Sequence, residues 1–428
     1  MKTKLSGMLR VAAARGGIVL FFIMAFEVMI MISPFAFFFY SVFNPLFLWL
    51  EQYPATQWLT GFFLPHMILP PTLFLQGIRV LGSVLFVLGM SAFAVCALQV
   101  YLGKLFKWGV ATRGLYRLVR HPQYLALGVW GVGMSILWPR FIVLATLSAM
   151  FLLYDFLARD EERRMRAQHG EAYARYQQAT GRFVPKALER RFAFVGRLAP
   201  NPAARAVVVG VLIVCLVMGT GFVCRAVTLR SLPFQSEQNV TLVPILPEDR
   251  ALSAEILGGI LQSQGAAEDT SAHLRGDCDY LGYVMPVDYI MQGMIADTGG
   301  DSHLFKHHQT VGMISDWVLH PFAHLRRPPS AHMAKMHNVE PAVARRHHCP
   351  LGMDDPNLDC AACPYRRVIL VQVDCPDGRH ATGAKLLSFG AVRVPIEAID
   401  INTQTGKILK TTRVGKATAW KDVPTPAI

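Results

Sequence analysis

Arg120, His121 and Pro122 stand where an ionic segment meets an apolar one. Within Thr112–Trp130, Arg113, Arg117, Arg120 and His121 give way after Pro122 to a run with the composition of a membrane span. Proline is favourable in the first turn of a helix, and helix N-termini attract anions, so a histidine and several arginines gathered there would suit a carboxylate or a phosphate. The alternative is that the arginines snorkel to lipid headgroups. A second ionic set, Asp160, Glu161, Glu162, Arg163 and Arg164, follows one long apolar run later. Asp160 with Arg164, and Glu162 with Arg166, are four apart and could simply decorate a solvated helix. If the run between is a hairpin, Glu161 and Glu162 return to the membrane face that carries Arg120 and His121, and acidic and basic groups converge.

The other residues with chemical potential lie far along the chain. Eleven of the 14 histidines fall after residue 224. His303 and His307 are four apart, as are His320 and His324, so on helices each pair shares a face. His332, Met333, Met336 and His337 follow, and then His347, His348, Cys349, Met353, Cys360 and Cys363. Such donors suit a soft or borderline ion, zinc or copper, and the absence of C-x-x-C-H argues against covalent haem. Di-haem or redox use of His and Met is a weaker variant. Six cysteines, Cys224, Cys278, Cys349, Cys360, Cys363 and Cys375, would equally suit disulfides outside the cytoplasm, with 15 possible pairings.

The elements that position these residues follow from charge and hydropathy. Residues 1–224 hold 22 Lys and Arg against 8 Asp and Glu, whereas 225–428 hold 20 against 21. The net charge of +13 therefore belongs to the half with the long apolar runs, where it flanks membrane spans and does not imply nucleic acid. Gly17–Phe43, apolar apart from Glu27, is too long for the apolar part of a signal peptide and reads as an uncleaved span with a cytoplasmic N-terminus. Glu27 is an ionisable group in hydrocarbon, either an acceptor-side residue or the partner of a neighbouring helix. Residues 44–76 contain no Lys or Arg and several prolines, as an outer loop or partly embedded hairpin would. Gly77–Leu102 is the second span. Tyr124–Ala158 is interrupted at Trp138-Pro139-Arg140; a single crossing would put the basic residues of 158–203 outside, so the positive-inside bias selects a hairpin. Ala204–Cys224 is the last span.

The expected architecture is an α-helical polytopic membrane domain of about five spans, including the helical hairpin, followed by an extracytoplasmic α+β domain. Its divisions are 1–76, an N-terminal span and outer loop; 77–200, the membrane core with a cytoplasmic tail; 201–226, the last span; and 227–428, the His/Cys-rich outer domain. That domain opens on a Pro-, Gln- and Ser-rich linker through Pro247 and a helix over Ala251–Gln264. Helical periodicity is read over Tyr280–Ala296 and Val311–His324, a strand over Val368–Val373, and a strand pair over Val392–Ile401 and Lys407–Val414 around Asn402-Thr403-Gln404-Thr405-Gly406. The expected location is the cytoplasmic (inner) membrane, multi-pass.

Two separated motifs carry a resemblance. Gly114, Tyr116, Val119, Arg120, His121, Pro122, Tyr124 and Leu125 form G-x-Y-x-x-V-R-H-P-x-Y-L. Glu161, Glu162 and Met165, then Gly170, Glu171, Tyr173 and Tyr176, and then Arg182-Phe183-Val184-Pro185 form the second. Together they resemble the isoprenylcysteine carboxyl methyltransferase and phospholipid methyltransferase-like family of integral membrane enzymes, over about residues 77–185. The resemblance implies methyl transfer from S-adenosylmethionine, bound at the cytoplasmic ends of the hairpin, to a lipophilic acceptor arriving from the bilayer lipids. It implies Arg120, His121 and Glu162 as catalytic residues, and Tyr116, Arg120, His121, Tyr124, Glu161, Glu162, Tyr173 and Arg182 as donor-binding ones. The donor's carboxylate would pair with Arg120 or His121, and its ribose hydroxyls and ammonium with Glu161 or Glu162. The tyrosines would wall the adenine or lie at the lipid interface. The chain departs from the family pattern at Ala126, where glycine is common, and at His169, where an aromatic usually precedes Gly170.

Two readings from different classes follow. In one, the chain is a membrane methyltransferase with an appended metal-binding or redox domain and an extracytoplasmic metal or redox partner. In the other, the membrane part is an inactive anchor for an extracytoplasmic metal-handling protein.

Overall fold

The computed structural model of the chain describes residues 49–65, 68, 72–106, 111–191, 201–266, 274, 278–286, 365–374 and 380–413. They fall into two compact units, one holding Gly77–Val223 and the other taking Cys224 onward together with the described part of residues 30–76. The first apolar run, Gly17–Phe43 with Glu27, lies outside the described residues, as does Val311–His324.

The first unit is helical. Its helices are α1 (Leu73–Leu105, in this unit from Gly77), α2 (Pro122–Leu137), α3 (Phe141–Ala179), the short α4 (Lys186–Arg191) and α5 (Pro202–Ser231, in this unit as far as Val223). Among the described residues three helices are long and apolar enough to cross a membrane, over Leu73–Gly103, Phe141–Ala179 and Ala206–Ser231. That marks a membrane protein. α2, at 16 residues, is shorter, about 24 Å at 1.5 Å per residue.

The expected hairpin is present. α2 ends at Leu137, α3 starts at Phe141, and Trp138-Pro139-Arg140 makes the turn, with Arg140 N donating to Trp138 O at 2.9 Å. Small residues set how closely the helices approach. A Cβ on Gly89 would fall 2.4 Å from Trp130 N, and one on Gly133 would fall 2.4 Å from Phe86 N, so α1 and α2 meet backbone to backbone. Close packing of this kind drives association where lipid removes the hydrophobic incentive. α5 packs on α3 in a similar way, Gly221 lying under Leu144 and Phe141, with the Phe141 and Phe222 rings 4.6 Å apart.

Inside α3 the backbone leaves the helix at Gly170, with φ 50° and ψ −125°. The consequence is a reversal: Arg166 Nε donates to Gln177 Oε1 at 3.1 Å. Eleven residues of straight helix would separate those two by about 16 Å. The segment after Gly170 therefore runs back along the one before it.

The second unit is built on a six-stranded sheet in the order β1 (Gln235–Glu237), β2 (Val240–Pro244), β3 (Asp279–Pro286), β4 (Tyr365–Asp374), β5 (Val392–Asn402) and β6 (Ile408–Arg413). Among the described strands of this sheet only β2 and β3 pair in parallel, and α6 (Ser253–Ala266) lies between them in sequence as the crossover. α6 covers one face through Ile256, Leu257 and Ile260; the other face packs Tyr283, Ile369 and Val371 against Ile68, Leu232, Leu386 and Leu387. Of residues 44–76, expected as an outer loop or partly embedded hairpin, Ile68 thus packs into this core and Phe62 O accepts from Arg225 Nη1 at 2.5 Å.

Two expectations fail here. Tyr280–Pro286, read as helical, is strand β3, and the segment read as linker contains β1 and β2. Both β2 and β3 are interior strands buried on both faces, so apart from Thr241, Asp279 and Gly282 they are apolar without alternation, which periodicity cannot tell from buried helix. The helix near 251–264 and the strands near 368–373, 392–401 and 407–414 are present with slightly shifted ends.

Candidate active site

Two short backbone contacts join the two motifs. Val119 and Gly181 form an isolated parallel bridge, Arg120 N donates to Gly181 O at 2.9 Å, and His121 N donates to Arg182 O at 3.1 Å. The residues leading into α2 therefore lie along those leaving α3. Gly181 is required there, since a Cβ would sit 1.8 Å from Val184 O. His121 occupies the N-cap position of α2 and Pro122 its first turn. Its imidazole is 2 % exposed.

At the centre is the Glu162 carboxylate. Oε1 accepts from Arg120 Nε at 2.8 Å and from Arg182 Nε at 3.2 Å, and Oε2 accepts from Arg182 Nη2 at 2.8 Å. Arg120 is held from the other side, its Nη1 donating to the carbonyls of Gln177 and Thr180 on the returning arm of α3. Arg182 also reaches Asp155 Oδ1 at 3.2 Å. Burial would lower the Arg182 guanidinium, but its bonds to Glu162 and Asp155 outweigh this and raise it above its ordinary value. This ion cluster is largely buried, and each charge has a hydrogen-bonded partner of opposite sign, the condition under which burial of charge is tolerable.

His121 sits against that cluster. Its Nε2 lies 3.4 Å from Glu162 Oε1 and its Nδ1 3.6 Å from Glu161 Oε2, and neither buried ring nitrogen makes a hydrogen bond. Two further buried polar atoms nearby in sequence, Tyr116 Oη and Gln123 Oε1, also lack a partner. Burial holds the Tyr116 phenol well above its ordinary range, so it stays a neutral donor. The Tyr154, Tyr124 and His121 rings stack in series at 5.2 and 5.6 Å, with Phe183 6.0 Å from His121. Tyr176 Oη donates to Tyr116 O at 2.6 Å, and Tyr173 is buried with its ring 5.8 Å from that of Tyr176.

Of the residues singled out in the sequence, Arg120, His121, Tyr124, Glu161, Glu162 and Arg182 are thus brought together, and Tyr116 joins them through Tyr176. Tyr154, Asp155 and Phe183, which touch Tyr124, Arg182 and His121, were missed as site residues. Tyr154 with Glu161, and Asp155 with Glu162, are seven apart, a spacing that puts each pair on one helix face and could have flagged them. Ala126 is buried in α2.

The candidate metal ligands His303, His307, His320, His324, His347, His348, Cys349, Cys360 and Cys363 lie outside the described residues. Among the described residues no three His, Cys, Asp or Glu side chains are grouped to hold a metal ion. Cys96, Cys215 and Cys224 carry free thiols, and Cys278 Sγ accepts from Gln372 Nε2 at 3.4 Å.

Residues 76–167 match the family model of the isoprenylcysteine carboxyl methyltransferase (ICMT) family. This membrane-family segment contains Arg120, His121 and Glu162 and suggests a membrane methyltransferase, for which S-adenosylmethionine is the consistent donor and a lipophilic molecule the acceptor. It stops before Gly170 and Arg182, so the returning arm and the Arg182 fork are supplied by residues beyond the match. No curated protein and no solved structure matches the chain.

Proposed function

We propose that residues 73–191 form an S-adenosylmethionine-dependent methyltransferase domain acting on a lipophilic acceptor at the cytoplasmic face of the membrane. The observation that carries this reading is the buried His121 imidazole, packed against the cluster of Glu162 with Arg120 and Arg182 while neither of its ring nitrogens makes a hydrogen bond. Buried polar groups without partners are rare in folded proteins and invite a ligand that completes them.

The residues present fit the donor. His121 and Tyr116 offer donors to its carboxylate, and Glu161, with its side chain 38 % exposed, has room to take a ribose hydroxyl or the ammonium. Tyr154, at the end of the ring series, is the ring left to offer a face to a purine, with Tyr124 held between it and His121. Arg120, Glu162 and Arg182 are spent on one another, so they act as positioning residues that orient His121. S-adenosylmethionine would supply an electrophilic methyl on a sulfonium. The protein's share is to hold donor and acceptor in line and keep water out while that charge is consumed, which positioning and a dry site both favour.

The cytoplasmic placement rests on the basic flanks of α2 and α3. The test is calorimetric titration of the detergent-solubilised full chain with S-adenosylmethionine. Binding is expected, weakened at least tenfold by His121→Ala; a folded sample that binds no donor overturns the reading.

A further inference from the structure

A cleft of about 530 Å³ lies between α3 and α5, well within the size of ligand pockets. Leu152 and Phe156 line it from α3, and Val207, Gly210 and Val211 from α5. Its wall is overwhelmingly apolar, yet Asp155 and Arg159 stand in it as an ion pair. Four residues that line it, Leu152, Phe156, Val207 and Val211, are between 38 % and 65 % exposed, so the cleft opens sideways along two helices of membrane-spanning length. Gly210 keeps it open, since a Cβ there would already fall 3.3 Å from Leu152 Cδ2.

The polar end of the cleft touches the candidate active site. Asp155 binds Arg159 and also accepts from Arg182 Nη1 at 3.2 Å, and Arg182 in turn grips Glu162. One guanidinium therefore spans the distance from cleft to cluster. Arg159 Nε is buried and has no hydrogen-bond partner. Its unused N–H points to a ligand whose head accepts a hydrogen bond, while the apolar wall points to a hydrocarbon tail.

We infer that this cleft seats the methyl acceptor: its apolar chain lies between α3 and α5 and its hydrogen-bond-accepting head at Arg159, next to Arg182. The assignment rests on the methyltransferase reading above. α5 lies beyond the matched segment 76–167, so this wall of the cleft is one that the family match does not cover.

The test uses the full chain in phosphatidylcholine nanodiscs containing a palmitoyl lipid with a diazirine on its chain. Cross-links mapped by mass spectrometry are expected to concentrate on residues 152–156 and 207–215 and to fall at least tenfold in Gly210→Trp. Val207→Trp, on the exposed rim, serves as a second plug, and Val95→Trp, on the exposed face of α1, should change nothing. Both plugged variants should bind S-adenosylmethionine as the unaltered chain does, but transfer at least tenfold less of its labelled methyl into a membrane lipid extract. Cross-links spread evenly over the apolar helices, or absent from the cleft because the chain's own first apolar run fills it, overturn the inference. Concentrated cross-links in a protein that binds no S-adenosylmethionine overturn the methyltransferase reading, and with it the acceptor role of the cleft.

Discussion

Arg182 grips Glu162 with two nitrogens, Nη2 at 2.8 Å from Oε2 and Nε at 3.2 Å from Oε1, and so pins the segment after α3 to the middle of α3. A lysine places a single charge and cannot reproduce that fork. Arg182→Lys is therefore expected to weaken S-adenosylmethionine binding about tenfold, roughly 1.4 kcal/mol, and Arg182→Ala to weaken it further. The side chain of Arg182 is 28 % exposed, so the loss of stability should stay below the ~3–5 kcal/mol of a fully buried broken pair. Titration and thermal melting of the two variants check both statements; unchanged donor affinity in Arg182→Ala would remove Arg182 from the site.

Tyr116→Phe separates a ligand role from a structural one. The Tyr116 hydroxyl is buried without a partner, and such a group costs the folded state about 1–3 kcal/mol. Its removal should leave the donor-free protein as stable or more so, yet reduce donor affinity several-fold. A melting midpoint that falls in the variant, with affinity intact, would contradict this.

How much of this was legible in the sequence depends on the kind of signal. The hairpin turn at Pro139 could be read because the alternative left too many basic residues on the wrong side. The meeting of Arg120 and His121 with Glu161 and Glu162 then followed from geometry alone. The reversal at Gly170 could not be read: polar residues flank it on both sides, and nothing in their spacing distinguishes one helix from two antiparallel arms. The contact of Arg182 with Glu162 was hidden for the same reason, because the chain must fold back before the two meet. In the second unit, β5 and β6 announced themselves through the Asn402–Gly406 turn, whereas β2 and β3 carry apolar residues toward both faces and so look like linker or helix.

Gly170 makes its own prediction. Its φ of 50° with ψ of −125° is that of the first central residue in a type II′ turn, a position dominated by Gly, Asn and Asp. No atom lies within 4 Å of a Cβ built there, so any cost of substitution is backbone strain, of order 1–3 kcal/mol. Gly170→Ala should lower stability by about that much and release the Tyr176 hydroxyl from Tyr116 O, while Gly170→Asn should cost less. Thermal melts of the pair, with tyrosine fluorescence as a local probe, give the ordering.

The sheet unit offers a test independent of any enzymatic reading. Arg367 lies directly across from Asp400 on β4 and β5 and binds it through Nε at 2.7 Å and Nη2 at 2.9 Å, with both side chains at most 5 % exposed. Arg366, on the opposite face, grips Asp249 with Nε 2.8 Å from Oδ1. Removal of Asp400 takes from a buried guanidinium the carboxylate that it binds through two nitrogens, a loss of up to about 3–5 kcal/mol, whereas replacement of both partners by apolar groups of similar size is commonly neutral or stabilising. Asp400→Ala should therefore strongly destabilise the second unit, and Arg367→Met with Asp400→Leu should recover most of the loss. Chemical denaturation followed by circular dichroism measures both. A double variant no better than Asp400→Ala would mean that the pair specifies the β4–β5 register and does more than neutralise a buried charge.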